Sequence, residues 1–323
     1  MLPTFDHDAP RLMLLTGSSG FIGKAYLTHV LSRGWTVRVL TRQSCKSLNQ
    51  DGIEIFKGDL STTQDWAQAL QGVHVVVNIA AEIYDYSHMQ EVNVQGPLRL
   101  LEAAIQAGVS RWVQMSSVGA YGTVLEGLVT EDWLDRPKGV YEISKADFDV
   151  ILKNAANQGN IEVCIVRPSN VYGPNMRNQS IYQLMNIISK GWFAYIGPLG
   201  ASANYVHVDD VVQALDLCTA NPRAANQTYI ISAWTTMEDM VNALADGLAV
   251  ASPKKRLNIN VAKLLAIVFQ KWARWPLTLS RVKAMSSRSQ YSTQKIENEL
   301  GWKVSVPVSY GMSQLAKSKA SKE

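Results

Sequence analysis

Short apolar runs alternate with longer amphipathic stretches along the first half of the chain. Arg11–Thr16, Thr36–Thr41, Ile53–Phe56, Val73–Ile79, Arg111–Ser116 and Ile161–Val166 are rich in aliphatic and β-branched residues, the pattern of strands buried on both faces. Between them, Phe21–Arg33, Thr62–Gln71, Met89–Ala107 and Tyr141–Asn157 read as helices, the first closed by Gly34 in the usual place for a helix-ending glycine. Pro97 falls inside the third helix and predicts a kink or a restart there, because it lacks an N–H and clashes with the preceding turn. This strand–helix alternation predicts an α/β fold with a doubly wound parallel sheet.

Past Pro168 the pattern changes to longer apolar and aromatic stretches joined by loops. Val206–Thr219 and Thr228–Ser232 read as a return to the sheet. The expected organisation is a Rossmann-type dinucleotide domain over residues 1–166, with return segments at about 205–232. A smaller, mostly helical substrate lobe is expected from residues 167–204 and 233–316. The polar end of the chain, residues 317–323 (KSKASKE), is expected to be a disordered tail.

Composition narrows the function classes. With 323 residues, 47% hydrophobic and 18% charged, the chain can bury a large core. A net charge of +4 is mild for this length and predicts no nucleic-acid binding. Cys45, Cys164 and Cys218 show neither a CxxC pair nor a spacing suited to zinc, so no metal site is expected and a reduced, cytoplasmic setting follows. The N-terminal MLPTFDHDAP has no basic or long apolar region of the signal-peptide kind. Val261–Phe269 is interrupted by Lys263 and is too short to span a bilayer. Leu257–Leu279, where Lys263, Lys271 and Arg274 mix with Trp272 and Trp275, reads as a core helix of the small lobe in preference to an interfacial helix on anionic lipid, so membrane contact is not expected.

Chemistry enters at the first strand–helix junction. Thr16-Gly17-Ser18-Ser19-Gly20-Phe21-Ile22-Gly23 places Gly17 at a tight turn, Gly20 where a pyrophosphate approaches and Gly23 where helix and strand pack closely. Ser19, Phe21 and Ile22 complete a loop whose helix start offers free N–H groups and a positive dipole end to phosphate. At the end of the second strand, Thr41-Arg42-Gln43-Ser44 carries no carboxylate for a ribose 2′-hydroxyl. Arg42 can pair with a 2′-phosphate, which favours NADP. The alternative is NAD held by other contacts, with Arg42 a solvated charge.

Tyr141-Glu142-Ile143-Ser144-Lys145 puts Tyr141 and Lys145 one helical turn apart. The lysine charge is expected to lower the tyrosine pKa from its usual value of about 10 and make Tyr141 a general acid/base. The spacing alone is common on solvated helices. It gains weight from Met115-Ser116-Ser117 at the end of the fifth strand, where α/β ligand crevices open. Ser117 is the expected partner that polarises a carbonyl, with Ser116 its competitor.

In order along the chain, TGSSGFIG, Gly58-Asp59-Leu60, Asn78-Ile79-Ala80-Ala81, Asn93-Val94-Gln95-Gly96, Ser116–Gly122 (SSVGAYG), YEISK, Arg167–Pro174 (RPSNVYGP) and Tyr205–Asp210 (YVHVDD) resemble the extended short-chain dehydrogenase/reductases, the NAD-dependent epimerase/dehydratase group. Glu299-Leu300-Gly301-Trp302 is similar to that family's closing signature, and the resemblance spans about residues 11–310. It implies that Gly17, Gly20, Phe21, Ile22 and Gly23 cradle pyrophosphate, that Asp59 and Leu60 flank adenine, and that Ala80 and Ala81 line the cofactor path. It further implies Tyr141 and Lys145 as the acid/base pair with Ser117 as third member, Pro168 and Val171 near the nicotinamide, a structural role for His207, and a homodimer through the helices around Met89–Ala107 and Tyr141–Asn157.

Departures from the family's subgroups point to the reaction. Val118 and Gly119 stand where the 4,6-dehydratases are expected to carry Asp-Glu, which disfavours elimination. With Arg42, the cofactor argument tilts toward reduction of a ketone by NADPH, the 4-keto group of a nucleotide sugar being the first substrate class. Asn170 is a further candidate for the substrate site, and Arg281 or Arg288 could supply a cation for its diphosphate. The alternatives are a nucleotide-sugar 4-epimerase with tightly bound NAD, a 3β-hydroxysteroid dehydrogenase-like reductase, and a cofactor-binding scaffold without chemistry. The intact Ser117, Tyr141 and Lys145 set argues against the scaffold.

Overall fold

The structure, a computed structural model, describes residues 12–43, 48–62, 64–176, 178–269 and 277–321. Arg11, Ser44, Cys45, Lys271, Trp272, Arg274, Trp275 and the last two residues of the expected tail lie outside that range. In chain order the first elements are β1 (Leu12–Thr16), α1 (Phe21–Ser32), β2 (Thr36–Thr41), β3 (Ile53–Lys57), α2 (Ala67–Leu70), β4 (Val75–Asn78), α3 (Tyr86–Gln90), α4 (Gly96–Gln106) and β5 (Arg111–Met115). Next come β6 (Glu126–Val129), α5 (Val140–Asn157), β7 (Glu162–Pro168), β8 (Asn170–Tyr172), α6 (Ser180–Ser189), β9 (Tyr195–Ile196), β10 (Ser202–His207) and α7 (Val208–Ala220). The chain ends with β11 (Gln227–Ile231), β12 (Ala233–Thr236), α8 (Met237–Gly247), β13 (Arg256–Leu257), α9 (Ile259–Val268), α10 (Leu279–Ser286), β14 (Arg288–Tyr291), α11 (Gln294–Leu300) and α12 (Val308–Ala320).

Seven strands form one sheet in the order β11-β7-β5-β4-β1-β2-β3, every neighbouring pair parallel. β1, β4 and β5 are almost wholly buried, because helices cover both faces. On one face α1 and α7 pack Tyr26, Val30, Val211 and Leu215 against Met13, Leu15 and Val113. On the other, α4 and α5 pack Leu100, Leu101, Phe148 and Leu152 against Leu14, Val76 and Trp112. The strand order reverses between β1 and β4, so their carboxyl ends, with those of β5 and β7, open onto the crevice where doubly wound sheets bind ligands.

The small lobe is mostly helical, built on α6, α8 and α12 around Met185, Met240, Leu244 and Met312. A short three-stranded sheet, β12-β10-β8, joins it to the end of β7. The closing segment is tied back to the sheet domain: Trp302 Nε1 donates to the Asp210 carbonyl at 2.9 Å, and the Asp210 carboxylate accepts from Ser305 N at 2.8 Å.

Two expectations change, and the break expected at Pro97 is met. The helix expected over Thr62–Gln71 is only α2, because the Asp59 carbonyl draws Thr62 N into a turn and Asp65 caps Ala67 N. The run Met89–Ala107 passes through a π-helical turn, Glu91–Gln95, before α4 restarts with Pro97 in its first turn. There a missing N–H costs no helical bond. The polar tail expected to be disordered is helical through Ala320, because Val308, Met312, Leu315 and Ala316 bury one face of α12 against the small lobe. Among the described residues, no helix is long and apolar enough to cross a membrane.

Candidate active site

The glycine loop joins β1 to α1 with Gly17 at φ +72°, where a side chain is strained. A Cβ on Gly17 would also lie 2.6 Å from Ala80 N, and one on Gly23 would lie 2.0 Å from Gly17 O. The loop, the first turn of α1 and the end of β4 therefore touch backbone to backbone. Gly20 caps α1 without a side-chain bond, so the N–H groups of Phe21, Ile22 and Gly23 have no intrahelical partner and face the open end of the helix. A diphosphate fits this cradle. Thr16 Oγ1 fixes the neighbouring strand end, donating to Asn78 Oδ1 at 2.5 Å and accepting from Ala80 N at 3.1 Å, while Ala81 beyond is exposed.

At the end of β2, Arg42 is exposed one residue past the strand, and Gly58 N bonds the Thr41 carbonyl at 3.0 Å. Asp59 folds its carboxylate onto Ser61 N and Oγ at 2.9 and 2.8 Å, and the Leu60 carbonyl receives Arg99 at 3.0 Å. Leu60 itself is buried. These residues stand at the ends of β2 and β3, along one edge of the crevice.

The end of β5 separates the two serines. Ser116 is buried and donates to Asp149 Oδ2 at 2.7 Å, which commits it to the interior. Ser117 is half-buried and its Oγ accepts from Gly119 N at 3.0 Å, opening a 3₁₀ turn over Val118–Tyr121. Its hydroxyl hydrogen stays free of that bond. Of the two hydroxyls, that of Ser116 is committed to Asp149, whereas that of Ser117 keeps its hydrogen available.

Tyr141 and Lys145 lie on the first turns of α5, and the lysine Nζ is 5.9 Å from the tyrosine ring centre. Lys145 is buried and donates to the Met115 carbonyl at 2.9 Å, which binds α5 to the end of β5 just before Ser117. Burial lowers its ammonium to about 8, against the pull of Asp149. The expected lowering of Tyr141 is not found: burial pushes the phenol up to about 12, and the Asp149 carboxylate adds to the rise. The lysine ammonium donates to the Met115 carbonyl, and the Tyr141 phenol keeps its proton near neutrality.

The structure brings the remaining predicted residues to different places. Pro168 ends β7, and Val171 of β8 packs on the core beneath the crevice. Asn170 is exposed and donates to the Asn204 carbonyl at 3.2 Å. Arg281 is exposed on α10, which packs on α9 and β9 in the small lobe, and Arg288 donates to the Leu199 carbonyl at 2.6 Å. His207 caps α7, its Nδ1 accepting from Asp209 N at 3.3 Å and its ring set edge-on to Tyr172.

Two supporting networks were not anticipated. Asp149 lies one turn beyond Lys145 and is fully buried between Ser116 and Arg167, whose guanidinium donates at 3.0 and 2.8 Å. Arg167 also makes a two-pronged pair with Asp135 at 2.7 and 2.8 Å. Burial pushes the Asp149 carboxyl up while Arg167 and Ser116 hold it down. The signal available in the sequence was spacing: Tyr141, Lys145 and Asp149 repeat every four residues along one helix face. In the second network, Asn93 accepts from Glu82 N at 2.7 Å and donates to Ser144 Oγ at 3.0 Å, pinning α5 to the loop after β4.

Comparison with known proteins shows what the chain is similar to. Residues 13–232 match the NAD dependent epimerase/dehydratase family. A UDP-glucose 4-epimerase of Vibrio cholerae is 28% identical, over 97% of each chain. Sterol demethylase protein B of Methylococcus capsulatus is 30% identical over 68% of this chain and 69% of its own. The structure of MoeE5 in complex with UDP-glucose and NAD superimposes with a TM-score of 0.74 at 22% identity, covering 96% of this chain and 99% of that one.

Proposed function

The chain belongs to the NAD-dependent epimerase/dehydratase family of enzymes, and from that premise we propose that it reduces a ketone, the 4-keto group of a nucleotide-linked sugar, with NADPH. The observation that carries the choice of cofactor is Arg42, exposed just past β2 where a carboxylate would otherwise meet the ribose. Arg42 pairs with the 2′-phosphate, the loop from Gly17 to Gly23 holds the diphosphate, and Asp59, Leu60, Ala80 and Ala81 line the path between.

The nicotinamide, when bound, supplies hydride. The chain's own residues do the rest. Ser117 Oγ–H and Tyr141 O–H converge on the carbonyl oxygen, and Tyr141 donates its proton as the alkoxide forms. A phenol raised to about 12 suits this direction, since it remains protonated until negative charge develops beside it. Lys145, held by the Met115 carbonyl, faces the nicotinamide ribose and keeps α5 in register with β5. Asn170 flanks the substrate. Arg281 is the cation assigned to its diphosphate. The reading includes a homodimer through α3 to α5, which carry exposed Tyr86, Ile143 and Val150, with exposed Tyr84 just before α3.

A second reading, a nucleotide-sugar 4-epimerase with NAD held through both half-reactions, is favoured by the full-length match to the Vibrio cholerae epimerase. Mass spectrometry of the purified protein, followed by titration with NADPH and NADH, separates the two. Protein without retained cofactor that binds NADPH more tightly supports the reductase, and 4-keto nucleotide sugars are then tested first and ketosteroids second. Stoichiometric retained NAD overturns it in favour of the epimerase.

A further inference from the structure

Ten of the chain's 31 Lys and Arg lie between residues 247 and 296, and none of its 27 Asp and Glu does. The rest of the chain is therefore net acidic, and the mild overall charge conceals a strongly basic lobe. Within that lobe Arg256 is paired with Glu238 at 2.7 Å and Arg288 with the Leu199 carbonyl, so both are used internally. Lys254, Lys255, Lys263 and Lys283 are exposed.

In the same lobe α9 is seated by its small residues. Ala262 and Ala266 are buried against Ile196 and Val282, whereas Val261, Leu264, Ile267 and Val268 are 47%, 60%, 49% and 59% exposed. At about 100° per residue these four fill one continuous arc, with Lys263 at its edge. A water-facing helix of a small lobe would carry the reverse arrangement.

We propose that this face of α9 docks on an anionic lipid surface, its aliphatic arc entering the headgroup–acyl boundary and Lys254, Lys255 and Lys263 meeting acidic headgroups. Charge decides the occupant. A second copy meeting this face about a two-fold axis would set one predominantly basic patch against another. A nucleic acid would satisfy the lysines but give the aliphatic arc nothing apolar to enter. An acidic bilayer surface satisfies both. The enzyme would be peripheral and reversibly bound.

The test is co-sedimentation of the full chain with phosphatidylcholine vesicles, with and without phosphatidylglycerol, at low salt and at about 0.5 M salt. Two surface variants accompany it, Leu264→Asp/Val268→Asp and Lys254→Glu/Lys255→Glu/Lys263→Glu, each checked for an unchanged thermal melt. Pelleting is expected on the phosphatidylglycerol vesicles at low salt and not on phosphatidylcholine. High salt should release the protein. The lysine variant should lower partitioning by about fivefold or more for each cation removed, and the aspartate variant should abolish it. No pelleting on anionic vesicles at low salt overturns the proposal, as does equal pelleting of wild type and both variants. A concentration-dependent dimer lost in Leu264→Asp would assign the face to a second copy and overturn it too.

Discussion

Lys145 Nζ donates to the carbonyl of Met115 at 2.9 Å, across the junction between the helix that carries Tyr141 and the strand that leads to Ser117. One buried bond therefore holds together the two elements that carry the proposed acid/base and its serine partner. The Tyr141 phenol beside it keeps its high affinity for the proton because it is buried and because the Asp149 carboxylate lies near.

Tyr141→Phe should reduce turnover by about 10²-fold or more, the usual size of an acid/base contribution, while leaving NADPH affinity little changed. Steady-state kinetics beside a binding titration check this. Near-normal turnover would remove Tyr141 from its role.

Lys145 makes stability depend on pH in a defined direction. Its folded value, about 8, lies below the unfolded value near 10.5, so between those limits the unfolded chain binds more protons. Burying the lysine is consequently unfavourable below about pH 8, and that penalty fades as the pH rises toward 10.5. Lys145→Met should be more stable than wild type near neutrality, by on the order of 3 kcal/mol at most, with the advantage shrinking in alkaline buffer. Thermal melts across that range give the answer, and an advantage that grows with pH would contradict it.

Arg167 should be the most sensitive charged residue outside the crevice. Arg167→Met leaves Asp149 buried and uncompensated and should cost about 3–5 kcal/mol in urea unfolding. Adding Asp149→Leu should recover much of that loss, because the stranded charge is then gone.

The glycines of the loop should separate folding from binding. A Cβ on Gly20 would meet only Gly17 O, at 3.1 Å, so Gly20→Ala should fold and bind dinucleotide weakly. One on Gly23 would lie 2.0 Å from the same oxygen, so Gly23→Ala should lose about 2 kcal/mol of stability or more as well as binding. Differential scanning calorimetry with and without NADPH distinguishes the pair.

The sheet was legible because buried parallel strands are continuous apolar runs, as in β1 and β4. The Gly17–Gly23 loop and the Tyr141–Lys145 pair were legible because their spacing follows from local geometry. What escaped depends on distant partners. Asp149 looks like any helix-surface acid until Arg167, eighteen residues later, is seen to cover it. The tail became helical through packing on α8, which no local propensity reveals. The pKa of Tyr141 went opposite to expectation because the sequence shows a lysine nearby but shows neither how deeply the phenol is buried nor that Asp149 lies beside it. The outward face of α9 departs from the core helix the sequence predicts, since an apolar stretch does not say which side is covered.

The most direct test of the central claim is to incubate the enzyme with a UDP-linked 4-keto-6-deoxy sugar and NADPH deuterated at the transferable position, and to locate the label by NMR. The account predicts one deuterium at C4 of the product sugar, with NADPH consumed one for one, and both about 10²-fold slower in Tyr141→Phe. Unlabelled sugar and unconsumed NADPH, with the wild-type protein folded and able to bind NADPH, would contradict it.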